Sequence, residues 1–195
     1  METLREVLAL LKRRGAMLLV PDLVEAVAGE PVKGTWWAHK AGPVIYRLAN
    51  ELEDHDDVVV GKLTDGKVTF VHARLFPALA RIVTDETWRK VRTGALDADA
   101  KKALAKIEKE GPMRVDAATK KALEPTALVR SFSEHSEGGK HVTVLESWRA
   151  WMKRRSVVVP KRLSFDDAYA ELADAGINLD QRKSGARRTV RATRR

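Results

Sequence analysis

"VVVGKLTDGKVTFVH", Val58 to His72, is the stretch whose reading decides the fold. Two runs rich in β-branched residues meet at Asp65-Gly66, a pair that tolerates the positive φ angles of a tight turn. The segment therefore predicts an antiparallel hairpin. Pairing about the turn sets Thr64 opposite Lys67 and Leu63 opposite Val68. One face then carries Val59, Gly61, Leu63, Val68, Phe70 and His72. The other carries Val58, Val60, Lys62, Thr64, Lys67, Thr69 and Val71, which makes the tip polar and basic on one side only. His72 falls on the apolar face, as a core histidine with its nitrogen satisfied.

Upstream, Leu4, Val7, Leu8 and Leu11 follow helical spacing and Gly15 ends the run, so residues 3–14 read as an amphipathic helix. A second, short helix follows Pro21-Asp22 and stops at Gly29 and Pro31. A third runs from Lys40 or Pro43 to Glu53 and buries Val44 or Ile45 with Leu48 and Leu52. Between them lies "GTWWAHKAGPVIY", Gly34 to Tyr46, dense in unusual side chains. At least one of Trp36 and Trp37 should pack beneath the third helix, where a large ring gains most, which favours an anchor over a binding site. An exposed Trp37 beside His39, facing the "SEHSEGGKH" turn, would reverse that preference. Beyond the hairpin, Leu75 to Val83 reads as a helix again.

Three helices followed by a hairpin with a "TDGK" tip resemble the winged helix-turn-helix superfamily over residues 3–83. The resemblance implies that residues 40–53 enter a DNA major groove and that Lys62 and Lys67 of the wing meet the backbone. "NELEDHDD" stands against that, because Glu51, Glu53, Asp54, Asp56 and Asp57 would repel phosphates unless they point away. Winged domains also serve as protein-contact modules.

After Thr84 the composition shifts toward Ala, Lys and Asp. Helices are expected from Asp97 or Asp99 to Gly111 and from Asp116 to Leu123. A strand, a Gly138-Gly139 turn and a second strand or helix start follow. Residues 144–155 look helical, "SVVVP" reads as a strand, and Ser164 with Asp167 caps a last helix ended by Gly176. This half is a second winged-type unit or an extension of the first. The expected class is α+β: a winged-helix-like N-terminal unit (1–84), a smaller helical and β C-terminal unit (85–178) and a disordered basic tail (179–195).

With no cysteine among 195 residues, disulfides, thiolate nucleophiles and cysteine-ligated metals are excluded. A reducing cytoplasm fits, and no uncharged run is long enough to span a bilayer. The net charge of +9 is concentrated rather than spread. Residues 1–84 are neutral and residues 85–181 carry a net +2, while the tail holds Arg182, Lys183, Arg187, Arg188, Arg191, Arg194 and Arg195 with no acid. Lacking apolar spacing, the tail cannot bury a face and is suited to phosphate contact by counterion release. A second run, Arg149, Lys153, Arg154, Arg155, Lys161 and Arg162, has no carboxylate between Ser147 and Phe165. Trp148 and Trp151 interleave with it, either to stack bases or as the buried stripe of a helix.

These cations and the wing lysines make nucleic acid, duplex DNA in particular, the expected partner, with no cofactor, metal or membrane. The alternatives are a protein-interaction module, with a protein partner or homodimer, and an enzyme acting on nucleic acid or nucleotides. The enzyme would use His39, Glu134, His135, Glu137 and His141 beside the Gly-Gly turn. Their spacing matches no zinc pattern, and no phosphate-binding or nucleophile-elbow glycine motif occurs in the chain.

Overall fold

The first helix, α1 (Leu4–Arg14), begins at Thr3, whose hydroxyl accepts from the Glu6 N–H while the Glu6 carboxylate accepts from the Thr3 N–H. Two of the free donors of the helix start are thereby satisfied. Gly15 ends it at φ +88°, where any side chain would collide with the Arg74 guanidinium. That tight reversal feeds directly into a strand, β1 (Ala16–Leu18). A wide helical turn, Leu19–Leu23, leads to α2 (Val24–Ala28), and a single turn at Trp36–Ala38 precedes α3 (Gly42–Asp54). The hairpin β2 (Val58–Thr64) and β3 (Lys67–His72) follows, then α4 (Phe76–Val83). The structure, a computed structural model, describes residues 1–135 and 141–179.

The strand β1 has no counterpart in the sequence reading, because three residues are too few to display an alternating pattern. It pairs antiparallel with β3 through Ala16↔Val71, Met17↔Phe70 and Leu18↔Thr69, giving the sheet order β1-β3-β2. Within the hairpin Thr64 faces Lys67 as expected, yet Lys62 faces Val68 and Val60 faces Phe70. The register shifts between Lys62 and Thr64, so Leu63 bulges and every pair beyond it slips by one. A slip of one residue exchanges faces. Val58, Val60 and Phe70 therefore join Met17 against Val7, Leu11, Ile45, Leu48 and Leu52 of α1 and α3. Val59, Leu63 and Val71 face the other way, onto Leu75, Leu79, Trp148, Trp151 and Leu172. The sheet is thus covered on both sides, with each such aliphatic side chain contributing about 1.5–3 kcal/mol.

His72 closes β3 and is buried, its N–H donating to the Gly15 carbonyl at 2.8 Å and its Nδ1 accepting from the Arg74 N–H at 3.1 Å. Burial disfavours the imidazolium and holds its pKa below the ordinary 6.5; Lys12, Arg74 and His55 push the same way, against Asp57. The folded state thus prefers neutral His72, so this contribution is present above pH 6.5 and is lost as pH falls through the lower folded value. Urea unfolding is expected to show a midpoint that declines below that pH in the native chain and declines less in His72→Gln. Equal slopes in the two proteins would refute the assignment.

The second half contains α5 (Glu86–Gly94), α6 (Ala98–Glu110), β4 (Met113–Arg114) and α7 (Ala117–Leu123). It continues with β5 (Val129–His135), β6 (His141–Ser147), α8 (Trp148–Arg154) and α9 (Phe165–Asp174). Asp97, Asp116 and Ser164 each cap a helix start through a side-chain oxygen, as their spacing predicts. The second sheet has the order β4-β6-β5, and its inner side packs on Leu104, Ile107, Leu123 and Leu128. The helices α8 and α9 turn away from that core and cover the outer face of the first sheet. A core cluster therefore spans the sequence boundary at Thr84. Ser156–Pro160 is not the expected strand: Pro160 has no N–H to donate, Val158 is 75% exposed, and only Val157 packs inward.

Candidate nucleic-acid interface

The basic run of the body does not form one exposed patch. Glu146 at the end of β6 is 1% exposed and accepts from Arg130 Nη1 at 3.2 Å and from Arg154 Nη2 at 2.7 Å. Arg130 is itself buried, with its guanidinium 4.8 Å from the Phe132 ring centroid. Burial lowers its pKa and the Glu146 carboxylate opposes that shift. Arg155 reaches back to the turn after α3, donating to the Asp56 carbonyl at 2.9 Å and to the Asp56 carboxylate. Glu53 and Asp54 line a cleft of about 370 Å³ with Arg130, Arg154 and Arg155. The acidic end of α3 thus faces arginines of the second half of the chain. Of the expected patch, Arg154 is spent on Glu146 and Arg155 on Asp56, just beyond α3.

Lys62 donates to Glu124 at 2.7 Å, and the Glu124 side chain is 8% exposed. The β2 strand lies alongside β5, so this flank of the hairpin is occupied within the molecule. Lys67, at the tip, is exposed. Arg149, Lys153, Lys161 and Arg162 are exposed as well. Trp148 and Trp151 are core residues, packed edge to face at 5.5 Å, with the Trp148 Nε1–H donating to the Ala127 carbonyl at 2.8 Å. Neither is open to a base.

Arg149 instead joins a group that the sequence did not reveal. It lines a cleft of about 290 Å³ with Arg89, Lys90, Lys101, Glu86 and Glu108. Arg89 is paired with Glu108; burial lowers its pKa, and the nearby Arg149 charge adds to that. The missed signal was Asp85, whose side chain accepts from the Trp88 N–H at 3.0 Å and starts α5.

The Trp-Trp segment divides as its composition suggests. Trp36 is 9% exposed against the α1–α3 core, whereas Trp37 is 63% exposed. The two rings stack at 3.6 Å between centroids, and Tyr46 on α3 stands 5.7 Å from Trp37. His39 lies under the turn: its Nδ1 accepts from the Ala41 N–H at 3.2 Å and its Nε2 is 3.5 Å from Glu30. The "SEHSEGGKH" turn, which an exposed Trp37 would have to face to reverse the preference for an anchor, falls at residues 136–140, outside the described residues.

Of the alternative catalytic set, Glu134 is 3.5 Å from Arg114, His39 is engaged with Glu30, and Glu137 lies outside the described residues. His135 and His141 are backbone partners at the end of the β5–β6 ladder. Among the described residues no cluster of His, Asp and Glu is arranged to hold a metal ion, and no helix is long and apolar enough to cross a membrane. Arg182, Lys183, Arg187, Arg188, Arg191, Arg194 and Arg195 all lie outside the described residues. No family model, no curated protein and no solved structure matches the chain.

Proposed function

We propose that the protein binds nucleic acid, duplex DNA in the first instance, through a winged-helix-like N-terminal unit whose affinity comes from basic charge outside the core. The observation that carries this is the run α1-β1-α2-α3-β2-β3 with sheet order β1-β3-β2, which resembles the arrangement of winged helix-turn-helix domains. It agrees with the charge along α3, since Asp56 in the turn after the helix is paired with Arg155 while the first half of the helix carries Tyr46 and Arg47. Since Lys62 is held by Glu124, the wing would contribute through its tip at Lys67 rather than through its flank. Exposed Lys153, Lys161 and Arg162, with the tail, would supply phosphate attraction.

A salt titration of labelled duplex DNA, single-stranded DNA and RNA tests this. Affinity for duplex should fall linearly in a log–log plot against salt. Absence of binding at low salt to all three would overturn the proposal. A protein-contact role is the second reading, favoured by the exposure of Trp37 and Tyr46. It expects no binding to any of the three, together with a stoichiometric protein complex or homodimer that Trp37→Ala disrupts.

A further inference from the structure

We infer that the open face of Trp37, with Tyr46 beside it, is a stacking site for an unpaired nucleobase, so that the preferred nucleic acid presents a base outside a continuous duplex. This rests on the nucleic-acid reading above and specifies its ligand. An indole stacked on one side against Trp36 at 3.6 Å and still 63% exposed has its other face turned to solvent. A base is a flat π surface of matching size, and stacking of this kind tolerates any sequence.

The turn that carries the ring is held in place before any ligand arrives, and the ring itself already stacks on Trp36. The His39 N–H donates to the Trp36 carbonyl at 3.1 Å, and the Gly42 N–H to the His39 carbonyl at 2.8 Å. A Cβ on Gly42 would lie 3.0 Å from the Trp37 carbonyl oxygen, so a larger residue there would require the turn to give by a few tenths of an ångström. A side chain fixed in advance loses little entropy when something binds it.

Charge selects the occupant. From Pro31 to Asn50 the chain carries Lys33, Lys40 and Arg47 and no carboxylate. Of the bordering acids, Glu51 pairs with Arg47, which leaves Lys33 and Lys40 as the cations outside that pair, and Glu30 lies 3.5 Å from His39 Nε2. An aromatic face within a stretch of one sign of charge fits a phosphodiester strand better than an apolar protein surface or a second copy of the same cationic stretch.

The test uses the full chain with a blunt duplex, the same duplex carrying an unpaired overhang, and a single strand, each followed by probe anisotropy and tryptophan fluorescence. The overhang and the single strand should quench fluorescence, and the overhang should bind more tightly than the blunt end. Trp37→Ala should lose the quench and about tenfold in affinity for the overhang, keep the blunt-end affinity, and keep the salt slope, since stacking releases no counterions. Trp37→Phe should recover part of the loss. Nucleic-acid binding that is indifferent to the overhang and to Trp37→Ala would overturn this inference and leave the proposed function standing. No binding by the native chain to any probe would overturn both. Loss of self-association in Trp37→Ala with unchanged nucleic-acid binding would assign the face to a second copy and overturn the stacking site.

Discussion

Glu146→Ala should destabilise the protein by about 3–5 kcal/mol in urea or thermal unfolding, the largest effect expected of a single polar substitution here. Glu146 is 1% exposed and sits between Arg130 and Arg154. Removing it strands Arg130, whose side chain is 7% exposed and whose Nε has no hydrogen-bond partner among the described residues. The cost is that of an uncompensated buried cation rather than the worth of the bond itself. Accordingly, Arg130→Met combined with Glu146→Leu should recover most of the loss, because replacing a buried pair by apolar groups of similar volume is often close to neutral. Arg154 is half exposed, so Arg154→Ala should cost no more than about 1 kcal/mol. A Glu146→Ala penalty as small as that of Arg154→Ala would show that water reaches the site.

The second large effect concerns affinity. A chain ending before Gln181 lacks the seven basic residues of the tail. If each meets a phosphate, the log–log salt slope for duplex DNA should become shallower by about six. The full chain should then lose roughly a thousandfold or more in affinity between low and physiological salt, while the truncated chain changes far less. Equal slopes would remove the tail from the interface and leave the exposed body cations as its sole electrostatic source. The Trp37 contribution is separable, because it shifts the line without tilting it.

What could be read in advance was local. Thr64↔Lys67 at the turn, the caps at Asp97, Asp116 and Ser164, and the division of labour between Trp36 and Trp37 follow from dihedral preference, side-chain oxygens and ring size within a few residues. The misses share a different cause. The Leu63 bulge is set by what both faces of the sheet must bury, and α8 and α9 are remote from it in sequence. Charge counting treated the Arg149–Arg162 run as free, but Arg155 finds Asp56 at a separation of 99 residues and Lys62 finds Glu124 at 62. Such pairings depend on tertiary placement, which no window of neighbours contains. The cleft of Arg89, Lys90, Lys101 and Arg149 was illegible for the same reason, being assembled from three helices.

The double-sided first sheet also sets an order of events at the ribosome. The hairpin emerges early, and α1 to α3 can cover one of its faces at once. Its other face, with Val59, Leu63 and Val71, is met early by Leu75 and by Leu79 of α4 but waits for Trp148, Trp151, Leu172 and Ile177, which are synthesised much later. The Asn178 N–H that reaches the Thr64 hydroxyl does so across 114 residues of chain. Throughout that interval a nascent chain displays a β surface covered only in part, the kind that aggregates. The chain is therefore most open to aggregation between the synthesis of α4 and that of α9.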